Sequence, residues 1–482
     1  MPVDDVCDEY KANILKWDRL RDCYNGRDAI MLRGSRYLQP LPSTTPSVQT
    51  NHELSTGLEY GNYPTSDEYL LRPSYFNATR RTVSGLVGLV YQKPAVVEDS
   101  SPALDEVLKD ISARGQMNVD QFGAKVLQEV VHMGRVGILV DVTEVDEQSS
   151  ITDDRPFVAI YHTEDITNWR YSDKGRDKKL EMVVLREYIQ TIDPKDKFKS
   201  VCVPQYRVCE IVNGQYQQTI YTKVQDTWSI YGPVIPKRGK DSLDFIPFAC
   251  VGPTGMNMTI EDSMLLDMAD LSIGFYKNSA DYEYGLHLVA LPTPWIADDG
   301  AQKSDAPLRI GPSNVWQLSG SGKAGMLEFG GQGLGAIKVA MDEKKSQMAV
   351  QGYRMLEGMI EVRKTATEVF ADHVTDHASL RTATQSVEEC ITLVAKWIDW
   401  WMVLPTTLKD PLDSKVNIEL NKQFFDMKAT PEEVKTQMAN YQAGDISFLT
   451  FYNGLQTGDW TREDVDADEE KKQIEKEQKE ED

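Results

Sequence analysis

The chain is short of positive charge, of cysteine and of long apolar runs, and each shortage narrows what it can do. Its 52 lysines and arginines stand against 75 aspartates and glutamates, a formal net charge of −23. Proteins that grip duplex DNA gain affinity from basic residues that release counterions, so this balance argues against tight DNA binding over the whole surface. An acidic total more often marks only solubility. Six cysteines in 482 residues (Cys7, Cys23, Cys202, Cys209, Cys250, Cys390) are scattered without a CxxC pair, which points to a reduced, intracellular chain and leaves no zinc motif. No uninterrupted apolar run reaches the ~18 residues of a membrane span. The opening MPVDDVCDEYK is acidic and lacks an apolar signal region, so secretion is not expected.

What the chain does have is organised around one long predicted helix, Glu261 to Leu288. Met264, Leu265, Met268, Leu271, Phe275 and Tyr276 recur at helical spacing and define one apolar face. Thr259 is the expected N-cap, with Glu261 and Asp262 complementing the helix dipole in the first turn. Pro292 and Pro294 end it. The chain before this helix reads largely as strands and the chain after it as long helices. The expected class is α+β, mainly helical, with an antiparallel β subdomain.

In order, a first helix is predicted over 9–24, with Ile14, Leu15, Trp17 and Leu20 turned inward, then a Pro/Ser/Thr-rich loop over 39–62. Thr65 and Glu68 have capping-box spacing, and Pro73 breaks the helix that follows near Arg72. The later part of that stretch places Val83, Leu86, Val87 and Val90 on one side, with Gly85 and Gly88 suited to close packing. Ser101-Pro102 opens a helix to about Ala113, and Asn118 caps another to about Met133. Gly134 to Val142 reads as a buried strand. Alternating segments continue to about Val251, with Asn213-Gly214 marking a type I′ hairpin and FIPFACV closing the sheet region.

Past the central helix, short strands are expected at Leu308–Ile310, Val315–Leu318 and Met326–Phe329. Helices follow over Ala336–Val362 and from Ala366 to about Val403, the second with an interruption near His373 to Ala378. Thr430-Pro431-Glu432-Glu433 starts a further helix that Gly444 ends, and Asp445 is the expected cap of the next. From Arg462 to Asp482 eleven acidic and five basic residues leave almost nothing to bury, so that tail is a solvated helix or disordered.

Catalytic motifs are weak throughout. Gly331, Gly333 and Ala336 satisfy a loose GxGxxA pattern before a helix, but no regular βαβ unit surrounds them and a Walker lysine is missing, so a flexible connection is the simpler account. His373 and His377 are four apart with Asp372 and Asp376 beside them, and on a helix both imidazoles would share a face able to hold a metal. HExxH is absent, and no third ligand is evident. Ser319-Gly320-Ser321-Gly322 is not a nucleophile elbow. Trp397, Trp400 and Trp401 lie at helical spacing, where packing is favoured over stacking on nucleic acid bases.

Three stretches together resemble the portal proteins of tailed double-stranded DNA bacteriophages. They are Arg80-Arg81-Thr82-Val83-Ser84-Gly85-Leu86-Val87-Gly88 with Lys93-Pro94; Ser279-Ala280-Asp281-Tyr282-Glu283 through Leu291-Pro292-Thr293-Pro294; and Thr365-Ala366-Thr367-Glu368-Val369. Ala443 to Leu455 also resembles a portal C-terminal helix pair. The resemblance runs from about residue 60 to 460. It implies a non-enzymatic, cofactor-free ring of usually twelve subunits at one capsid vertex of the virion, assembled in the host cytoplasm. Its implied partners are the terminase large subunit, the major capsid or scaffolding protein, a head-tail adaptor, and duplex DNA weakly contacted in the channel; no membrane is involved.

On this reading residues 1–258 and 336–404 form the wing and channel helices, 259–288 the stem, 289–335 the clip, and 405–482 the crown with its acidic tail. Arg363 and Lys364 are the expected channel-facing charges. Thr365 and Glu368 are the expected cap at a channel bend, where the Thr365 hydroxyl accepts the Glu368 backbone N–H. Two other readings stay open: a metal-dependent hydrolase or nuclease using His373 and His377, and a scaffold that binds partners through its acidic tail.

Overall fold

A computed structural model of the chain describes residues 3–39, 52–53, 59–60, 68–112, 117–142, 155–172, 179–193, 196–224, 227–238, 241–291, 293–297, 322–327, 330–356, 378–403, 408–422, 424, 431–457, 460–461, 467, 470–473 and 476. Helices and antiparallel sheets both contribute, so the class is α+β.

The N-terminal part is helical. Helix α1 (Asp8–Asn25) buries Tyr10, Trp17, Leu20 and Cys23, and Gly26 ends it at φ 96°. Leu15, expected inward, is 67% exposed, because two residues before Trp17 puts it on nearly the opposite side of the helix. After α2 (Arg27–Leu32) and two short strands, β1 (His52–Glu53) and β2 (Glu59–Tyr60), the break at Pro73 separates α3 (Glu68–Leu71) from α4 (Ala78–Val90). Asn77 caps α4, its side-chain oxygen accepting the Arg80 N–H at 3.0 Å. Val83, Leu86 and Val90 are buried as their spacing predicts, but Gly88 faces open space and is not a packing contact.

Strand β3 (Val96–Glu98) leads to α5 (Pro102–Leu108), where the Ser101 hydroxyl accepts the Leu104 N–H at 3.2 Å. This helix stops short of Ala113 because the Ile111 backbone is engaged elsewhere. Its N–H donates to Met117 O and its carbonyl accepts from Val158 N, each at 2.9 Å. Helix α6 (Val119–Met133) starts on a full capping box between Asn118 and Gln121. It ends at Gly134, φ 81°, where a Cβ would lie 2.5 Å from the Glu261 carbonyl oxygen.

Two sheets follow. Strands β4 (Val136–Val142) and β5 (Pro156–His162) belong to the smaller one. The larger contains β6 (Ile166–Tyr171), β7 (Leu180–Asp193), β8 (Asp196–Val212), β9 (Gln215–Val224) and β10 (Thr227–Val234) in the order β10-β9-β8-β7-β6. The Asn213-Gly214 turn joins β8 to β9 with φ of 52° and 78°, the left-handed pair that a type I′ turn demands. After the short pair β11 (Lys237–Arg238) and β12 (Asp241–Ser242) comes β13 (Phe248–Val251). The FIPFACV segment does not close the larger sheet. It pairs with β4, Phe248 opposite Leu139 and Val251 opposite Val136, so β4 is the centre of a three-stranded sheet. All four β13 residues are buried because its two faces enter different cores: Ala249 and Val251 pack in the main helical core, Phe248 and Cys250 against Val183, Cys209 and Tyr216 of the larger sheet.

The long helix α7 runs Leu266–Ala290. It starts five residues later than predicted and without Thr259 as cap, because tertiary contacts hold the preceding residues. Met258 O accepts from Arg135 Nη1 at 3.1 Å, Glu261 Oε1 accepts from Thr254, and Asp262 pairs with Lys16 at 2.8 Å. Strands β14 (Thr293–Ala297) and β15 (Lys323–Leu327) pair antiparallel beyond it, and α8 (Leu334–Leu356) returns along it. The expected strands at 308–310 and 315–318 lie outside the described residues, as does 357–362 of the predicted second helix.

Helix α9 (Ala378–Met402), strand β16 (Asn417–Glu419), α10 (Pro431–Ala443) and α11 (Phe448–Thr457) complete the order. Gly444 ends α10 at φ 83°, but Ser447, not Asp445, caps α11, its hydroxyl accepting the Thr450 N–H at 3.2 Å. Strand β16 pairs with β3, tying residues 417–419 to 96–98. The main core joins α4, α5 and α6 to β4 and α9 through side chains such as Leu104, Phe122, Val130, Ile138 and Val394. Burying each contributes about 1.5–3 kcal/mol.

Candidate functional site: a helical hairpin with an exposed tip

Helices α7 and α8 form an antiparallel hairpin whose tip is the β14–β15 pair. The pairing is read from successive contacts: Ser272 donates to Met348 Sδ at 3.3 Å, Lys345 Nζ lies 5.2 Å from the Phe275 ring centre, and Gly285 lies against Leu334. A Cβ on Gly285 would come within 2.6 Å of Leu334 Cδ2, so the two helices approach closely there. Gly331, at φ 59°, makes the turn into α8. The Gly330 to Ala336 segment therefore serves as the connection that starts the returning helix.

The base of this hairpin is embedded. Met268, Ala269, Ile273, Phe275, Tyr276 and Ala280 are buried, some against α1 and the rest in the main core. From Asp281 onward no α7 side chain is buried. The run Gly285-Leu286-His287-Leu288-Val289-Ala290-Leu291 carries apolar groups on every side of the helix, so no single partner helix can cover them all. Leu291 is 61% exposed, Leu327 64% and Val339 58%. The sequence reading missed these residues because it treated the helix as one stripe. The signal was present in the loss of alternation after Tyr284.

The other charged clusters serve the fold. Arg21 makes paired hydrogen bonds to the Glu129 carboxylate (2.8 and 2.7 Å) and reaches Glu164 at 2.8 Å, while His162 Nδ1 lies 3.0 Å from Glu129. Burial alone would raise the Glu129 carboxyl, yet the hydrogen bonds from Arg21 and His162 hold it far below the carboxylate range. The bond to Glu129 raises His162. In the second cluster, Arg207 bridges Glu187 at 2.7 Å and Asp141 at 3.3 Å, across the two sheets. Asp399 of α9 accepts from Ser101 and Ser414 at 2.6 Å each, pinning α9 to the start of α5. Among the described residues no group of three His, Cys, Asp or Glu is placed to hold a metal.

The tryptophan stripe is packing. Trp397 and Trp400 are buried against Phe245, the Trp400 Nε1–H donates to Lys409 O at 3.0 Å, and the Arg238 guanidinium lies 4.3 Å from the Trp400 ring centre. In the C-terminal pair, Tyr441 of α10 stacks on Phe451 of α11 at 5.0 Å. Arg363, Lys364, Thr365, Glu368, His373 and His377 lie outside the described residues, as do Ser319 to Ser321. Among the described residues no helix is long and apolar enough to cross a membrane.

A family model described as a domain of unknown function (DUF4055) matches residues 264–402, the stretch that holds α7, the β14–β15 tip, α8 and α9. No curated protein matches the chain. A chain in a solved structure titled "Neck of native GTA particle computed with C12 symmetry" is 12% identical over 80% of this chain and 91% of its own length, with a TM-score of 0.33. That likeness is too distant to carry an argument.

Proposed function

We propose that the chain is the subunit of a portal-type ring, the head-tail connector through which a packaging motor drives duplex DNA into a capsid and from which the DNA later leaves. The α7–α8 hairpin is the observation that carries this reading. Its base is locked into the subunit core and its far half presents apolar side chains on several sides, the form expected of a strut flanked by neighbours in a ring. In this assignment α7 and α8 are the stem, β14 and β15 belong to the clip, and the helices and sheets packed at the base of α7 are the wing. The pairing of β16 with β3 supports drawing the crown from after Phe424, through α10, α11 and the acidic tail. A net charge of −23 suits a channel that must let DNA slide, because a deep electrostatic well would stall transport.

Twelve subunits, binding of terminase, capsid or scaffolding protein and an adaptor, residence in the virion, and the absence of an enzymatic activity all belong to the same proposal. So do Arg363 and Lys364 as channel-facing charges and the Thr365–Glu368 cap. Negative-stain images of the purified full chain are expected to show rings with a central hole, and sedimentation a species many times the subunit mass. A subunit-mass species alone at micromolar concentration would overturn the reading. In assembled rings, replacing Arg363 and Lys364 with Gln is expected to spare assembly and to alter DNA packaging or retention.

A further inference from the structure

Near the base of the hairpin, on the exposed side of α4, lies an open cavity of about 430 Å³ lined by Asn77, Arg80, Arg81 and Ser84. In a chain with 23 more acidic than basic residues, many arginines have found a carboxylate. Arg21, Arg33, Arg186 and Arg207 each make an ion pair within 3.3 Å. Arg80 and Arg81 make none among the described residues. What orients them is aromatic: the Arg80 guanidinium lies 5.6 Å from the Tyr24 ring centre and the Arg81 guanidinium 5.9 Å from that of Phe76. A ring face holds the plane of a guanidinium while leaving its N–H edges free to donate.

Ser84 lies one turn on, four residues from Arg80 and three from Arg81, so its hydroxyl falls on the same patch of helix surface. Asn77 is held in place, its oxygen accepting the Arg80 N–H and its amide donating to Tyr24 O at 3.1 Å, so the two guanidinium forks and the hydroxyl are the cavity's main donors. The ring under Arg81 is itself held in the fold. Phe76 packs on Phe275 at 6.1 Å, and Lys345 of α8 lies over the Phe275 ring.

We propose that this pocket binds a phosphate group, and that the phosphate is that of a duplex DNA backbone. Two planar forks and a hydroxyl match the tetrahedral oxygens of a phosphodiester, which accepts bidentate hydrogen bonds and carries the charge that Arg80 and Arg81 lack nearby. Phosphate recognition stands on the pocket alone, whereas the choice of duplex DNA rests on the ring reading. In a strongly acidic chain such a local pair supplies a shallow, repeated foothold without a general affinity for DNA.

The test is fluorescence anisotropy of a labelled duplex of about 20 base pairs with the full chain, between about 50 and 200 mM salt. Arg80→Gln with Arg81→Gln is expected to weaken binding at least about tenfold at the lower salt and to reduce the log–log salt slope by about 0.9 for each pocket engaged, one phosphate per pocket. Arg80→Lys with Arg81→Lys is expected to restore the slope but not the full affinity, since lysine keeps the charge and loses the fork. Lys109→Gln, a surface change at a residue that pairs with Glu106, is expected to leave binding unchanged. Matching thermal unfolding of all variants keeps the comparison about binding. Duplex affinity and slope equal in wild type and the glutamine variant would overturn the inference. Calorimetric binding of inorganic phosphate through these arginines, without arginine-dependent duplex affinity, would overturn the DNA assignment in favour of a small phosphate ligand. Sedimentation of the same samples separates this outcome from the ring reading: normal assembly with lost duplex binding, or the reverse, shows that the two stand apart.

Discussion

Helices α7 and α9 are each 25 residues long, yet they spend their apolar surface differently. Helix α9 has buried side chains from Leu380 to Trp400, nearly its whole length, against α5, α6, β13 and β16. Helix α7 stops burying side chains at Ala280 and goes on for ten residues, about 15 Å, with leucine and valine facing outward. A subunit that can cover one helix end to end has apolar surface to spare elsewhere. The uncovered half of α7 is the surface that the proposed ring would assign to neighbouring subunits, whereas α9 is completed within the chain.

The largest expected effect lies on the covered helix. Ile398 of α9 is fully buried in the main core, so Ile398→Ala should cost about 2–5 kcal/mol of subunit stability, read from the urea midpoint. A shift below 0.5 kcal/mol would erase the contrast between the two helices.

Next comes the pH response of the anchored end. His132, buried beneath α1, donates its Nε2–H to Leu20 O at 2.9 Å, and burial, followed by the charge of Arg21, pushes its imidazole down to about 4. The unfolded chain therefore takes up a proton first as pH falls. This stability is fully present above about 6.5, is lost between about 6.5 and 4, and amounts to about 2 kcal/mol from pH 7.5 to 5. The depressed Glu129 adds a loss only at lower pH. His162 acts in the opposite sense, its contribution present below about 6.5 and lost as pH rises through its raised value, so it offsets part of the slope. His132→Gln should flatten the urea midpoint between those pH values, and an unchanged slope would assign the response to another group.

At the exposed tip, Leu291→Ser with Leu327→Ser should leave the subunit's unfolding within about 0.5 kcal/mol of wild type, since these side chains are among the most exposed apolar groups of the hairpin. Assembly should weaken by about 1 kcal/mol or more per side chain at each contact, measured by sedimentation against concentration. Destabilised subunits with intact assembly would invert the comparison. The smallest effect belongs to α11: Ser447→Ala removes a cap worth about 0.5–1 kcal/mol, seen as faster amide exchange in that helix alone.

Local chemistry was legible. The caps at Ser101 and Asn118, the Asn213-Gly214 turn, the stop at Gly444 and the break at Pro73 each depend on residues within a few positions of one another, and each stands where its residues point. Ser447 was overlooked because Asp445 and Ser447 are both good caps, and only the folded turn, in which Asp445 N donates to Asn440 O, selects between them. The candidate site was legible as a helix but not as a surface, because periodicity reports which face is apolar and not which half has a partner.

By itself the sequence determined the α+β class, the long helix and its proline stop, most helix starts, and the acidic balance that argues against a general grip on DNA, since these follow from short-range sterics, capping and summed charge. Tertiary structure decided the rest. It delayed α7 to Leu266 through Arg135 and Lys16, turned β13 onto β4, joined β16 to β3 across more than 300 residues, and left Leu291 and Leu327 uncovered. Each of those depends on which distant surface arrives to bury an apolar face or to satisfy a backbone group, and no spacing along the chain contains that information.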